Sequence, residues 1–477
     1  MRQRWARSSC WRWPTHIARE VNDDWWNCFM SSPDRSAELL VIAERVVAMA
    51  APGEQVEAYV SRGLSTEIRV YEGEVEHFVS AQSESIGIRV IRDGRTGTSS
   101  CGTLDASEIA EVLAEARDNL GYGEPDEWAG LAEPDGVAVV PQSLWNDSLE
   151  RTTTQRKIEL AKLLEKLTLA GDSRIRVDDS NYSDAAGEAA VATTTGIRVA
   201  GRENGCYLSV GTLADDGNET QTGFGFAVGR NVDELDVERA AREAVDRATR
   251  LLGATKPDSR RVTVVLDPFV TAQFLSIIGG TLNGESVVKG RSLFAHRMGE
   301  TVANSLLTLV DDPTNPLAYT ATDIDGEGLA ARRNVLIQDG VLSKFVQSSY
   351  SARRMGLPTT GNGSRGGSGA GCLALQILPG TRSQAEIVTG IDDGILIQQV
   401  QGLHSGVNSV SGDFSTGAAG LLIKNGTLGA PVREFTIAST LQRMLMDIAE
   451  VGGDLEWLPM SATGVSLVIH DVTMSGA

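Results

Sequence analysis

The sequence predicts an α+β protein: an N-terminal sandwich region of two strand-then-helix units, followed by a mostly β C-terminal domain. Two observations predict it directly. Short runs of β-branched and alternating residues lead twice into a long amphipathic helix, at Asp105–Leu120 and at Asp236–Leu252. Downstream of Arg261, Asp-Gly and Asn-Gly pairs sit between apolar runs, as tight hairpins require. The 51 glycines agree, because they suit turns and strands better than a helical bundle.

The first periodic segment is a helix over Ser36–Ala51, with Leu39, Leu40, Ile42, Ala43, Val46 and Val47 at helical offsets. Strand-like segments follow at 56–60, 66–72, 74–80 and 86–91, the last closed by the turn pair Asp93-Gly94. Asp105 is the expected N-cap of the next helix, with Glu108 three residues on in a capping-box pattern. Residues 121–147 are acidic and aperiodic, which predicts a linker or covering loop. A second round then begins with a helix over Thr152–Ala170, ended by Gly171. Short strands between 174 and 229 lead to the helix Asp236–Leu252, ended by Gly253, and Lys256-Pro257 marks a boundary. Arg261–Leu266 reads as a buried strand, Asp267-Pro268 as a helix N-cap with proline at the first position, and Phe269–Ile278 as an apolar helix. Hairpins are predicted at Asp339-Gly340 and Asn425-Gly426.

At 477 residues the chain is too long for one core, and these boundaries divide it into 30–140, 141–257 and 258–477. Residues 1–29 differ in kind, holding five of the eight Trp and two of the five Cys with no helical or strand period. They are expected to be a mis-assigned start ahead of Met30 or a disordered leader, a Trp-rich membrane-touching arm being the sharper alternative. The formal net charge of −20 argues against nucleic acid as the main partner, since phosphate binding needs a basic face. No apolar stretch is long enough to span a bilayer. The scattered Cys101, Cys206 and Cys372 form no CxxC and suit small apolar fillers in a reducing compartment, so a cytoplasmic location is expected.

Three tracts say more: Asp325–Leu342 (DGEGLAARRNVLIQDGVL), Ser348–Gly363 (SSYSARRMGLPTTGNG) and Gly402–Gly426 (GLHSGVNSVSGDFSTGAAGLLIKNG). They set small residues, amides and ionisable groups at fixed offsets around glycines, where a backbone turns sharply or passes close to another. In these tracts, and from Met30 onward, the chain resembles the TldD/PmbA family, specifically its PmbA (TldE) branch. The resemblance implies a two-subunit peptidase acting on unstructured peptides. In it a TldD-like paralogue bears zinc and a PmbA/TldE-type chain completes the assembly. The resemblance also maps the zinc helix of TldD-type members, with its His-Glu-x-x-x-His set, onto Asp267–Gly280, and a late cysteine onto Trp457–Thr463. Leu275 and Gly280 fall at the histidine positions, Ser276 at the glutamate, and WLPMSAT at the cysteine. Two imidazoles and a base are what hold zinc and activate its water. The expectation is therefore no metal and no catalytic residue in this chain, with zinc in the partner subunit.

Other motifs are weaker. His77, His296, His404 and His470 are too scattered to assign to a metal. Gly361–Gly366 matches G-x-G-x-x-G but neither follows a strand nor opens a helix. Gly366–Ala370 falls one residue short of a nucleophile elbow, and Asp323–Gly328 lacks the later calcium ligands. The remaining candidates are His404, Ser405, Asn408, Ser411 and Asp413, with Asn362 and Arg365. Small and polar residues between glycines suit a groove or strand edge where an extended peptide or a partner adds through its main chain. Asn408 and Asp413 also fit plain turn formation. The leading expectation is a non-catalytic PmbA/TldE-like subunit paired with a zinc-bearing paralogue. A stand-alone binding or scaffold protein, as a homodimer, is the alternative.

Overall fold

The computed structural model describes residues 34–477, so the reading of residues 1–29 lies outside the described residues. Helix α1 (Ser36–Val47) buries Leu39, Ala43, Val46 and Val47 on one stripe and stops short of Pro52-Gly53, earlier than the predicted Ala51. Strands β1 (Gln55–Tyr71) and β2 (Glu74–Arg92) form a long hairpin, turning at Glu72 and Gly73 with φ of 51° and 76°. The sequence predicts breaks near 61–65 and 81–85. Both strands instead run straight through, because their small polar residues pair across the ladder, as Ser61 and Ser85 do at 2.7 Å between hydroxyls. Strand β3 (Arg95–Cys101) and helix α2 (Ala106–Asp118) complete the first unit. The second unit is helix α3 (Thr154–Gly171), strands β4 (Ile175–Thr193), β5 (Arg198–Asp215) and β6 (Thr220–Gly229), and helix α4 (Val237–Thr249).

The two units share one antiparallel sheet, ordered β3-β2-β1-β4-β5-β6, with β1 paired to β4 from Glu57–Thr193 to Val70–Ser180. All four helices lie on one face of it. There α1 and α2 cover Val56, Ala58, Val60, Ile86 and Ile88, while α3 and α4 cover Ile68, Val70, Tyr182 and Leu208. The opposite face carries Glu57, Tyr59 and Arg89 among smaller residues and meets the C-terminal region through Arg365.

That region opens with β7 (Arg260–Leu266) and α5 (Pro268–Thr281), where the Asp267 side chain accepts from the Phe269 amide, as the N-cap reading predicts. A small sheet follows, built from β8 (Leu309–Asp311), β9 (Asn334–Gln338), β10 (Val341–Leu342) and β11 (Leu375–Ile377), with helix α6 (Ser349–Met355) beside it. The larger sheet adds β12 (Asp393–Gln401), β13 (Asp413–Lys424), β14 (Thr427–Thr440), β15 (Ile448–Val451) and β16 (Leu467–Ser475) to β7. Its order is β14-β13-β12-β7-β16-β15, and a further β14–β16 pairing closes five of these strands into a ring. The largest core cluster lies here, with α5 contributing Val270, Phe274, Leu275 and Ile278.

Candidate functional site

Helix α5 is the place to test for a metal centre. Leu275 is wholly buried in the C-terminal core, so its side chain is committed to packing. Ser276 is exposed, and its hydroxyl donates to the Ala272 carbonyl one turn back at 2.9 Å. Gly280 offers no side chain at all. A sulfur lies close by, that of Cys372, with Sγ 4.0 Å from the Gly279 carbonyl oxygen. Burial, then the charge of Asp311, push this thiol well above its ordinary range, which disfavours the thiolate a metal needs. Among the described residues no three His, Cys, Asp or Glu side chains converge to hold a metal ion. The zinc set of TldD-type members does not fit the residues present here.

Polar chemistry gathers instead at the seam between the N-terminal sheet and the C-terminal region. Asp311, at the end of β8, accepts from the Leu373 and Ala374 amides, each at 2.8 Å, and from Asn362 Nδ2 at 2.6 Å. Burial pushes its carboxyl up to about 6 against the pull of these three donors. Asn362 also donates to the Gly371 carbonyl and accepts from Asn334 Nδ2 at 3.1 Å, so this side chain is fully engaged in joining strands and loops.

Asp325 forms the second node. One of its oxygens accepts from the Glu327 and Leu329 amides at 2.9 and 3.0 Å, the other from the Gly363 amide at 2.7 Å. Burial first, and then the neighbouring charge of Glu327, push its carboxyl up to about 7. Glu327 in turn accepts from the Ser349 amide and hydroxyl at the start of α6. Two glycines are obligatory here: a Cβ on Gly326 would meet the Arg365 amide nitrogen at 2.4 Å, and one on Gly363 would meet Glu327 Oε2 at 2.3 Å. That close approach is the physical content of the DGEG and GNG tracts. The calcium-like acid run is thus an anchor for backbone amides.

Arg365 crosses the seam, its guanidinium 4.1 Å from the centre of the Tyr59 ring on β1. Burial lowers the Arg365 pKa and, against the attraction of the guanidinium, raises Tyr59 to about 12. Nearby, Arg89 and Glu57 form a buried ion pair at 2.9 Å on the same sheet face. Arg353 of α6 holds the predicted covering loop by donating to the carbonyls of Trp128, Gly130 and Leu131.

The other candidates lie apart from this seam, on the stretch from β12 to β13. Ser405, Asn408 and Asp413 line a shallow open depression of about 380 Å³, with Gly406, Val407 and Ser409 completing its wall. His404 is exposed on the single helical turn Leu403–Gly406. Asn408 Oδ1 accepts from the Val410 and Ser411 amides at 2.9 and 3.1 Å, and the Ser411 hydroxyl donates to Asp413 at 2.7 Å. These contacts are those of a self-stabilised turn, whose rim still presents hydroxyls and a carboxylate to solvent. The structure therefore divides the seven sequence candidates into five on the stretch from β12 to β13 and two elsewhere, Asn362 within the C-terminal region and Arg365 at the seam. Sequence reading alone missed Asp311, Glu327 and Tyr59, whose roles depend on burial between distant segments.

Comparisons with known proteins follow this architecture. The PmbA/TldA metallopeptidase domain 1 matches residues 56–120, its central domain 147–252 and its C-terminal domain 259–476. The metalloprotease PmbA of Escherichia coli O157:H7 is 27% identical over 414 residues, covering 85% of this chain and 88% of that protein. A metalloprotease PmbA homolog of Haemophilus influenzae is 26% identical, covering 87% of this chain and 90% of its own length. The crystal structure of TldE from Thermococcus kodakarensis superposes with a TM-score of 0.82 at 25% identity, covering 92% of this chain and 99% of that one. On this shared sequence and fold, the chain belongs to the PmbA/TldD metallopeptidase family.

Proposed function

We propose that this chain is the non-catalytic subunit of a two-chain peptidase, pairing with a zinc-bearing TldD-like relative and helping to enclose unstructured peptides. The observation that carries the reading is α5. The helix that would hold zinc puts Leu275 into the core, turns Ser276 back on its own backbone and has only hydrogen at Gly280. Hydrolysis assisted by a metal requires ligands and a base at those positions, so another polypeptide must supply them. The depression lined by Ser405, Asn408 and Asp413, beside His404 and Ser411, is the proposed peptide- or partner-facing surface of the C-terminal region. Work inside the cell, in the cytoplasm, belongs to the same reading. Among the described residues no helix is long and apolar enough to cross a membrane.

The test is elemental analysis and peptide cleavage, measured on the purified chain alone and after co-expression with a TldD-type relative. Zinc and cleavage are expected only in the mixture. Stoichiometric zinc together with zinc-dependent cleavage by this chain alone would overturn the proposal.

A further inference from the structure

Strand β2 has neighbours on both sides along only part of its length. Strand β3 covers Ile86–Arg92, whereas Glu74–Ser85 pairs with β1 on one side and with no strand on the other among the described residues. The register jumps from Val70–Val75 to Arg69–His77, so Glu76 is bulged out and His77–Ser85 forms a regular open edge. At ~3.4 Å per residue, Glu74–Ser85 presents about 40 Å of strand lacking a ladder partner.

The same sheet has a matching step at its far side, where β6 covers only Cys206–Asp215 of β5. There the chain provides its own cover: the Asn204 amide donates to the Leu144 carbonyl at 3.0 Å, and Arg202 stacks 4.4 Å from the Trp145 ring centre. Exposed strand edges invite pairing, and natural proteins cover or guard them. One step is covered by the chain itself; the other is uncovered among the described residues.

The side chains indicate what kind of partner. Ile68 and Val70 belong to the core beneath α3, and their cross-strand neighbours Phe78 and Val75 carry that apolar row to the edge, where they are 43% and 37% exposed. A bare peptide strand would add main-chain bonds and leave both uncovered on that face. A folded unit, with a helix over its strand, covers both and has the size of a specific interface, ~800 Å² per partner. Charge narrows the choice. Glu72, Glu74, Glu76 and Glu84 stand on this tip, with Arg69, Lys162 and Arg62 paired to Glu76, Glu74 and Glu84 in turn. A second copy would bring the same acidic surplus, whereas a strand bearing Lys or Arg complements it.

We propose that the outer edge of β2 from His77 to Ser85, with Val75 and Phe78, docks a basic strand-and-helix unit of the zinc-bearing relative by strand addition. This rests on the two-chain reading above. The test is amide hydrogen exchange on the full chain, alone and in the complex co-purified with a TldD-type relative. Added protection of the outward-facing amides within 77–85, those that do not donate to β1, is expected only in the complex. The double variant Ala81→Lys/Gln82→Lys, which places guarding cations on the edge, should weaken the complex at least ~tenfold while leaving the isolated chain folded with a melting temperature near that of the wild type. Leu317→Lys, at a 70% exposed position in the C-terminal region, should leave the complex intact. A complex in which 77–85 exchange as fast as in the free chain overturns the docking edge and spares the two-chain reading. So does protection of 77–85 in a homodimer of this chain alone. Failure of the wild-type chain to form any complex removes both.

Discussion

Replacing Arg353 with Met is expected to free the covering loop from the C-terminal region while leaving both folds in place. Arg353 donates to the Trp128 carbonyl from Nε at 3.1 Å and from Nη2 at 3.0 Å, to Gly130 at 2.8 Å and to Leu131 at 3.3 Å. Met preserves the stem and supplies no donor, so three carbonyls lose a cationic partner. Hydrogen bonds to charged groups contribute ~1.5–3 kcal/mol each when buried. The half-buried setting lets water replace part of this, so the net loss should be about 3 kcal/mol. That corresponds to roughly a hundredfold shift in the loop's opening equilibrium, at ~1.4 kcal/mol per factor of ten. The readout is exchange of the Asp126, Ala129 and Leu131 amides, which are bonded to Gly94, Asp126 and the Gln55 side chain. Arg297→Met serves as the control, because its guanidinium donates to Glu300 and to the Thr301 carbonyl rather than to this loop. If these amides keep their wild-type exchange in Arg353→Met, the clasp reasoning is wrong.

Asn362→Ala should cost about 2–4 kcal/mol in a urea melt, since it strips a donor from buried Asp311 and an acceptor from Asn334 together. Leu275→Ala should cost about 2–5 kcal/mol through the cavity it leaves, with no change in bound metal; a change in metal content would show that α5 faces a metal site after all. Asp325 gives a pH dependence of definite sign. Its carboxyl rises from 3.8 to about 7 on folding, so its contribution to stability is fully present below the lower value and is lost as pH rises through the upper one. Denaturation midpoints should therefore decline as pH rises from about 4 to about 7, and Asp325→Asn should flatten that slope. An Asn variant with the wild-type slope would assign the titration elsewhere.

Much of this architecture is legible in the sequence where local chemistry dictates it. Asp267 before Pro268 has one stable use, a helix start, and the Asp93-Gly94, Asp339-Gly340 and Asn425-Gly426 pairs all adopt the positive φ their composition favours. That Asp267–Gly280 carries no His, Cys or Glu is legible too, because residue types are countable in a string of letters. Strand length is not: Ser61–Ser65 and Ala81–Ser85 lack apolar alternation and look like breaks, yet they pair across the hairpin. Nor is the junction of the two N-terminal units, since β1 finds β4 only through long-range pairing. The rim residues show the limit from the other side. Asn408 and Asp413 sit beside glycines whether they serve a ligand or their own turn, and the hydrogen bonds engage them in the turn.

Because β1 lies between β2 and β4, the first unit cannot reach its resting state while the ribosome has delivered only that unit. Until Ile175–Thr193 emerges, the nascent hairpin carries a raw flank along the whole of Glu57–Val70, the kind of surface that recruits holding chaperones or sticks to its neighbours. Fragments cut near residue 140 should consequently be insoluble reagents. Completion of the sheet around β1 therefore waits on the fourth strand rather than on the end of the first unit.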